Sequence, residues 1–462
     1  MPIVYSSLNH PQRVPLAAEV HSRPPMRLKA PETLTHLAVY GAQPQGMVQG
    51  DILATQHELL RALCAHFGVT PPAPQANYFF HDFGRFRLKW ECHTEFATFT
   101  FAEKQDEHLP AEVAFQRVPL YHLPEEWLMK LQGMLVVAAH VVLEKSAATP
   151  QPMPPELRGL FEGRLVVGGH VMRGAEVWTD FQIQSDGFSR FLIRDINLFE
   201  QQVGRLAQRV LEIETYRMMA TFGLPQAHRA MPLLNEIENE LAKLTVAMVT
   251  PDKAESGSEA ENRLRKADKE QALLHELTGL AARIERLSLD NSYRFAASQA
   301  YYRLVRARID ELREARIEGV VTIEEFIDRR LGPAMNTCVA TERRQAALAE
   351  RIAHTNDLLR TRVNLVQEQQ NREILQSLNS RSAQQLRLQQ AVEGLSVVAI
   401  SYYLIGLTLY AAKAVKAAGF PVNPDLAAGL MVPVIAFGVW AGIRKLRKTL
   451  NSGEEQEEKK TA

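Results

Sequence analysis

The sequence predicts an α+β protein in three parts. An N-terminal mixed α/β head covers residues 1–195, a helical region with a long stalk helix follows, and a two-helix transmembrane hairpin ends the chain. Three observations predict this order. Segments with strand character are confined to the first 195 residues. No proline or glycine interrupts the chain from Ala334 until Gly394, and two uncharged apolar runs come after that point.

The head contains seven segments with the β-branched and aromatic residues that are typical of strands. They are Thr33–Tyr40, Tyr78–His81, Phe86–Phe101, Met134–Leu143, Leu165–Met172, Ala175–Gln184 and Phe188–Ile193. Helical spacing of apolar residues predicts two helices, over Gln49–Phe67 and Glu125–Gln132. A hairpin with a type I′ turn is predicted at Asp186-Gly187, because that turn requires positive φ angles. The proline-rich stretch Pro150–Pro155 is predicted to be a surface loop.

Residues 196–333 are predicted to be helical. A first helix covers Asn197–Phe222 and ends at Gly223 and Pro225, and a second runs from Pro232 to Val249. A polar linker near residues 250–262 follows, since that stretch has no residues that could form a core.

The linker leads into Arg263–Glu314, which is predicted to form either one long helix or two. Thr322 and Glu325 have the spacing of a capping box, and the short helix that they open should stop at Gly332-Pro333.

Residues 334–393 are predicted to form an unbroken stalk helix of roughly 90 Å, at 1.5 Å per residue. Its apolar positions fall into three groups, 348–366, 374–378 and 388–392, and recur within each group at steps of three, four or seven, as in a coiled coil. They are Leu348, Ile352, Leu359, Val363, Val366, Ile374, Leu378, Leu388 and Val392. Gln370, Arg381 and Gln385 interrupt this seam. The seam could pack on the helices of Arg263–Glu314 or on other copies of the chain, which makes a homo-oligomer possible.

Two uncharged runs, residues 394–412 and 426–443, are each long enough to cross the hydrocarbon core of a bilayer. A loop with Pro421 and Pro424 separates them, as expected between antiparallel spans. The tail, residues 444–462, is first basic and then acidic. The lipid bilayer is therefore the predicted partner of this part of the chain.

Basic residues are denser outside the two runs than in the loop between them, so both termini should lie in the cytoplasm. The residues predicted to anchor the spans at the membrane surface are Tyr410, Trp440, Arg444, Lys445, Arg447 and Lys448.

The charge balance argues against binding to nucleic acid, since 53 basic residues offset 53 acidic ones and phosphate binding needs a basic face. Cys64, Cys92 and Cys338 are widely spaced and form neither a metal motif nor a disulfide framework. This cysteine usage fits a reducing compartment.

Glu91, His93 and Glu95 are the strongest candidates for chemistry. Alternate residues of a strand share a face, so the three would project together and could hold a metal ion or act in acid–base catalysis. The alternative is a solvated sheet face, or pairing of the carboxylates with arginines such as Arg85, Arg87 or Arg190. His10, Glu19, His21 and Arg23 form a second polar group, which would join the first if it packed on the same strand.

Glu214 and Arg217 are three residues apart on the first helix of the middle region and are predicted to pair. Glu212 does not share their face, and a structural role is predicted for all three. The chain has no phosphate-binding loop, nucleophile elbow, HExxH motif or paired CxxC, and nothing identifies a cofactor or a ligand of the head.

Five segments resemble an uncharacterised family of proteobacterial membrane-anchored proteins, domain of unknown function 3422. They are His10–Pro25, Leu88–Phe101, Val177–Phe191, Gly204–Pro225 and Val392–Tyr403. The resemblance implies a protein of the bacterial inner membrane and this domain order, but it implies no reaction, substrate or catalytic residue.

Three functions are therefore open. The first is a membrane-anchored, non-catalytic scaffold or sensor. The second is an oligomeric ion channel or transporter, since the layout resembles that of CorA-type magnesium channels. The Gly-Met-Asn signature of those channels is missing here, and Lys413 and Lys416 stand in the corresponding stretch. The third is a metal-dependent enzyme that uses Glu91, His93 and Glu95.

Overall fold

The computed structural model describes residues 8–14, 16–17, 23–41, 49–105, 109–147, 155–250, 258–417 and 423–461. The chain divides into two compact units. The first consists of Met1–Glu255 with Ala272–Asn356, and the second of Ser256–Gln271 with Asp357–Ala462. The predicted α+β class is confirmed, since a mixed sheet lies in the N-terminal part and long helices follow it.

The described residues of the first unit form one nine-stranded sheet with the order β2-β3-β4-β1-β5-β8-β7-β6-β9. Neighbouring strands are antiparallel except for β5 and β8, which are parallel. The strands are β1 Glu32–Tyr40, β2 Tyr78–Asp82, β3 Arg87–Cys92, β4 Phe96–Lys104, β5 Leu135–Lys145, β6 Val167–Val171, β7 Ala175–Ile183, β8 Ser189–Asp195 and β9 Ala315–Arg316.

Helices cover both faces of this sheet and continue to the end of the chain. They are α1 Gln49–His66, α2 Ala111–Ala114, α3 Glu125–Met129, α4 Pro155–Gly159, α5 Glu200–Thr221, α6 Gly223–Val249, α7 Glu259–Leu312, α8 Ile323–Ala417 and α9 Pro424–Thr461. A 3₁₀ turn, Pro119–His122, precedes α3.

Strand β1 lies inside the sheet and has buried residues on both faces. Leu37 and Val39 belong to a core that α1 and α3 complete, together with Trp90 of β3. Leu34 and Ala38 point to the opposite face, where α5 contributes further core residues. Two cores therefore sandwich one sheet, and alternation along each strand decides which core a side chain enters.

The strand predictions agree with the structure except at one segment, and the short strand β9 in the region predicted to be helical was not predicted. The single strand predicted over Phe86–Phe101 is wrong, because β3 ends at Cys92 and β4 begins at Phe96. The predicted hairpin at Asp186-Gly187 joins β7 and β8, but its turn is not of type I′. Gly187 has φ +86°, whereas Asp186 is not among the residues with positive φ. Beyond the strand ends the Gln184 N–H donates to the Phe188 carbonyl at 2.9 Å, and the three residues between them, 185–187, end in a left-handed glycine.

Glycine and proline end fewer helices than the sequence predicts. The second helix of the middle region starts at Gly223, not at Pro232. Pro225 falls in its first turn, where a missing backbone N–H removes no hydrogen bond. A Cβ at position 223 would lie 2.7 Å from Ser298 Oγ and 3.2 Å from Cys338 Sγ, so this glycine permits close helix packing.

The capping box of Thr322 and Glu325 is confirmed, with Thr322 Oγ1 accepting a 3.1 Å bond from the Glu325 backbone N–H. The predicted end of that helix at Gly332-Pro333 is wrong, because α8 continues to Ala417. Leu331, Met335 and Cys338 on either side of the proline are buried in the core, and this packing outweighs the lost hydrogen bond.

Arg263–Glu314 forms one helix, α7, rather than two. The apolar seam of α8 changes its surroundings along its length. Leu348, Ile352 and Leu359 are buried, whereas Ile374, Leu378, Leu388 and Val392 are more than half exposed. The domain boundaries given by the sequence, near residues 195, 333 and 393, stay predictions.

Several sequence predictions fall outside the described residues. These are the positions of Glu19 and His21, most of the loop Pro150–Pro155, and residues 251–257 of the polar linker.

Gly204 sets how closely α5 approaches the segment that precedes β1. A Cβ at this position would lie 1.9 Å from the backbone oxygen of Met26. Gly279 of α7 offers a matched control, since a Cβ there meets nothing within 4 Å.

We expect Gly204→Ala to lower the free energy of unfolding by about 1–3 kcal/mol or more, because backbone must move. Gly279→Ala should raise it by roughly 0.5–1 kcal/mol through helix propensity. Thermal and urea unfolding of the detergent-solubilised chain would measure both. Equal stability of the two variants would show that the close approach at Gly204 is not a constraint.

Candidate functional site

A polar row crosses the sheet on the face that α5 covers. On β3, Arg87, Lys89 and Glu91 alternate with core residues, so the three charged side chains share this face. Lys89 lies opposite Thr100 of β4, and Thr100 lies opposite His36 of β1. A lysine, a threonine and a histidine are thus brought side by side from three strands.

Helix α5 places a second set of polar residues over this row. Gln208, Glu212 and Thr215 follow at steps of four and three, which puts them on one helix face. Sheet and helix enclose a cavity of about 40 Å³ whose lining includes these residues. That volume admits about three water molecules, at roughly 10–15 Å³ for each.

Lys89 is the central charge of the cavity and is 4% exposed. Its ammonium donates to Gln208 Oε1 at 3.1 Å and pairs with Glu91 Oε1 at 3.1 Å. The Gln208 amide then donates to Glu212 Oε1 at 2.7 Å, and Arg308 of α7 binds the other oxygen of Glu212. A chain of hydrogen bonds therefore connects β3, α5 and α7.

His36 is held as a neutral imidazole. Thr215 Oγ1 donates its hydrogen to the Leu211 carbonyl, so it can only accept from His36 Nε2–H, at 3.1 Å. His36 Nδ1 must then accept the hydroxyl hydrogen of Thr100, at 2.8 Å. Burial, together with the nearby Lys89 charge, lowers the pKa of His36 to about 3.

Among the described residues that line the cavity, only Thr98 has a buried side-chain oxygen without a hydrogen-bond partner. Its hydroxyl is buried, and a buried hydroxyl without a hydrogen bond is unfavourable. A water molecule or a small polar ligand in the cavity would satisfy it.

The structure places Glu91, His93 and Glu95 with three different partners. Glu91 pairs with Lys89, and Arg23 approaches His93 Nδ1 to 3.5 Å. Glu95 lies in the turn after β3, where Arg294 of α7 donates to both of its oxygens at 2.7 and 3.0 Å.

These three residues do not share one strand face, because β3 ends before His93. Burial raises the pKa of Glu91, with Lys89 opposing that shift, and burial lowers the pKa of His93 to about 3. Within the described ranges, no three His, Cys, Asp or Glu side chains are grouped to hold a metal ion. The metal hypothesis for Glu91, His93 and Glu95 stays a prediction that the observed pairings do not favour.

Of the N-terminal polar group, Arg23 does reach β3, since it donates to the Cys92 carbonyl at 3.1 Å. His10 lies apart from it, in an exposed turn where its Nδ1 accepts the Gln12 N–H. The predicted Glu214–Arg217 pair forms, with Arg217 Nε 3.0 Å from Glu214 Oε2.

The comparisons with known proteins identify the family but no activity. Residues 8–450 match the family described as "Protein of unknown function (DUF3422)". The chain belongs to this family. A search of curated proteins gives no match. A solved structure described as "structure of the full-length CmaX protein" is similar at 13% identity, covering 67% of this chain and 89% of that chain. Its TM-score is 0.17, too low for any argument about the fold.

In this member of the DUF3422 family, sequence reasoning missed most of the cavity: His36, Lys89, Thr98, Thr100, Gln208 and Thr215. Glu212 was named, but a structural role was predicted for it. One signal was available, namely three charged residues alternating with Leu88, Trp90 and Cys92 in a single strand. Such alternation is equally typical of a solvated face. Only the position of α5 shows that this face is buried.

The predicted membrane anchors lie at the ends of two apolar helical segments. The Lys413 ammonium lies 5.9 Å from the centre of the Tyr410 ring, and the Arg444 guanidinium 4.9 Å from the Trp440 ring. Lys445 is exposed. The side chains of Arg447 and Lys448 lie outside the described part of the structure.

The neutral state of His36 gives a pH dependence with a definite sign. An unfolded histidine binds a proton below about pH 6.5, whereas folded His36 does not until about pH 3. The unfolded state therefore gains protons first, and stability falls as the pH drops through this window.

We expect His36→Asn, which cannot titrate, to reduce this loss by about 1.4 kcal/mol per pH unit between pH 6 and 4. Urea unfolding at several pH values would measure the slope. His275→Asn, on the exposed surface of α7, controls for loss of an imidazole. An unchanged slope in His36→Asn would contradict the assignment of a buried neutral ring.

Proposed function

We propose that this protein is a membrane-anchored module of the bacterial inner membrane, in which a large cytoplasmic head acts as a non-catalytic scaffold or sensor. The spans are residues 394–412 and 426–443, and both termini face the cytoplasm. One observation carries the proposal: the two apolar helical segments find almost no cover within their own chain.

Both segments are long and apolar enough to cross a membrane, and 6% of each apolar window is buried. Leu395, Leu407 and Leu430 are 72%, 65% and 73% exposed. A core helix of a soluble protein with this composition would be mostly buried. Burying apolar surface contributes about 25 cal/mol per Å², so these helices in water would be strongly unfavourable. A bilayer would cover them.

The orientation rests on charge. Arg444, Lys445, Arg447 and Lys448 follow the second span directly, whereas the loop between the spans has Lys413 and Lys416. Denser basic charge is typical of the cytoplasmic side. The two aromatic rings that contact Lys413 and Arg444 would sit at opposite interfaces, where amphipathic rings are favoured.

The non-catalytic character rests on how the reactive groups of the head are held. Lys89, Glu91 and Glu95 are engaged in ion pairs, and His36 is neutral between two threonines. Burial raises the pKa of the Cys92 thiol to about 11, so this cysteine is not a thiolate nucleophile at neutral pH. As a sensor, the head would hold its ligand in the cavity under α5.

Cysteine labelling tests the anchoring and its orientation. The native cysteines are buried, which leaves a low background. We expect Lys416→Cys to react with a membrane-impermeant maleimide in intact cells, and Lys445→Cys to react only after the membrane is permeabilised. The protein should also remain in the pellet after alkaline carbonate extraction, because spans are held by the hydrophobic effect.

Release by carbonate would exclude the two spans. Labelling of Lys445→Cys from outside would instead retain the spans and invert their orientation.

We further propose that the stalk forms a parallel homo-oligomer. The exposed seam of Ile374, Leu378, Leu388 and Val392 has coiled-coil spacing and continues toward the first span. Copies anchored in one membrane with one orientation would bring identical residues together. This geometry favours parallel pairing in register.

We expect Leu378→Cys, on the seam, to form an intermolecular disulfide in oxidised membranes, seen as a dimer on a non-reducing gel. Gln376→Cys is the matched control, since it lies two residues away on the opposite side of the helix. Equal cross-linking of both variants would indicate random collisions. No cross-linking of Leu378→Cys would exclude the parallel register.

Ion passage through such an oligomer is the second candidate function. The continuity of α8 favours this function, because a single helix runs from the capping box in the first unit to the end of the first apolar segment. The hydroxyls of Ser396 and Thr408 donate to carbonyls of their own helix, at 2.8 and 2.6 Å, and so need no pore. Ion flux into proteoliposomes, combined with the mass of the solubilised oligomer, separates a channel from an anchor.

A further inference from the structure

A groove in the first unit lies beside an irregular part of β7. The register between β7 and β8 shifts between Thr179 and Ile183, and Phe181 has φ +53°. A bulky residue in this left-handed region is rare. The Asp180 carboxylate holds the backbone there by accepting the N–H groups of Gly163 and Gln182, at 2.9 and 3.1 Å.

The irregularity aims the Phe181 ring at helix α8. Phe181 stacks on Phe326, with the ring centres 4.9 Å apart and the planes at 12°. Phe181, Ile327 and Leu331 are buried and, with Leu165, line a groove of about 330 Å³. This volume is at the lower end of the range of small-molecule pockets.

Two arginines, Arg217 and Arg330, line the groove and have guanidinium N–H groups that are not used in hydrogen bonds among the described residues. Arg217 uses Nε and Nη2 to bind Glu214, and its guanidinium lies 5.2 Å from the centre of the Phe181 ring. Its Nη1 has no partner among the described residues. Arg330 is exposed and likewise forms no ion pair within the described chain. The cation–π contact fixes the direction of Arg217.

The groove contains one carboxylate, and it is already satisfied. Both oxygens of Asp180 also accept bonds from the Gln184 side chain, at 3.0 and 2.9 Å. Asp180 therefore does not compete for the free donors of Arg217 and Arg330. An apolar floor next to the Nη1 of Arg217 and the guanidinium of Arg330 is complementary to a molecule with an apolar body and an anionic head.

We propose that this groove binds a small alkyl carboxylate, with its chain on Phe181, Phe326 and Leu165 and its carboxylate between Arg217 and Arg330. The site lies apart from the polar cavity and does not depend on the membrane-anchoring proposal.

Calorimetric titration of octanoate into the full chain in nanodiscs, with empty nanodiscs subtracted, tests this site. We expect saturable binding, and binding of octanol at least about tenfold weaker, the loss of one hydrogen bond to a charged group. Arg330→Gln should weaken octanoate binding by about the same factor. Arg329→Gln is the matched control, because Arg329 is exposed beside it but does not line the groove.

Leu165→Glu is a second variant at an exposed position, so it should fold, and its carboxylate should abolish octanoate binding by repulsion. The proposal is overturned if no saturable octanoate binding occurs, or if octanol binds as tightly as octanoate. Equal affinities of Arg330→Gln and Arg329→Gln for octanoate would also overturn it.

Discussion

Arg294 of α7 and Glu95 at the β3–β4 turn form two hydrogen bonds in a place where each side chain is 7% exposed. Removing one partner of such a pair leaves a buried charge and costs about 3–5 kcal/mol. The pair thus fixes one point of α7 against the turn that connects β3 and β4. Tyr40 and Phe222 stack beside it, and the Arg294 guanidinium lies 5.9 Å from the Phe222 ring.

Fixing α7 at Arg294 also positions Arg308, which lies fourteen residues further along the same helix. Arg308 binds Glu212 and Glu311, and Glu311 in turn binds Arg209 of α5. Through Glu212 and Gln208 these contacts reach Lys89 in the sheet. A partly satisfied polar network is worse than an apolar core. Rotation of α5 by one residue would break several of these bonds, so the network holds the helix in one register over the sheet.

The sequence allowed the strands and the two long apolar helical segments to be predicted because both depend on local constraints. Enrichment in β-branched and aromatic residues along β1 or β7 and the length of an uncharged run are properties of a few neighbouring residues. The start of the second middle helix at Pro232 and the helix end at Pro333 were predicted wrongly, since close packing of Gly223 against Ser298 and burial of Met335 override the local preference.

The site was harder to predict for the same physical reason. Whether Lys89 faces water or a cavity is decided by α5, which lies more than a hundred residues later. The partner of Glu95 is 199 residues away in sequence, and neither spacing nor charge pattern connects the two. Pairing of a carboxylate with an arginine was predicted, but the arginines suggested were Arg85, Arg87 and Arg190, not Arg294.

The two units differ in how far their side chains are covered by the rest of the chain. In the first, the charged groups around the cavity are satisfied by side chains from β3, α5 and α7, and both faces of the sheet carry cores. The second has its apolar residues on the outside, from Ile374 through Trp440. The α8 seam continues past Leu359, although Gln370, Arg381 and Gln385 interrupt it, and its residues from Ile374 onward are exposed. On the proposed function, the cover for this exposed part comes from outside the chain. Water cannot supply it, whereas lipid and a second copy of the same helix can.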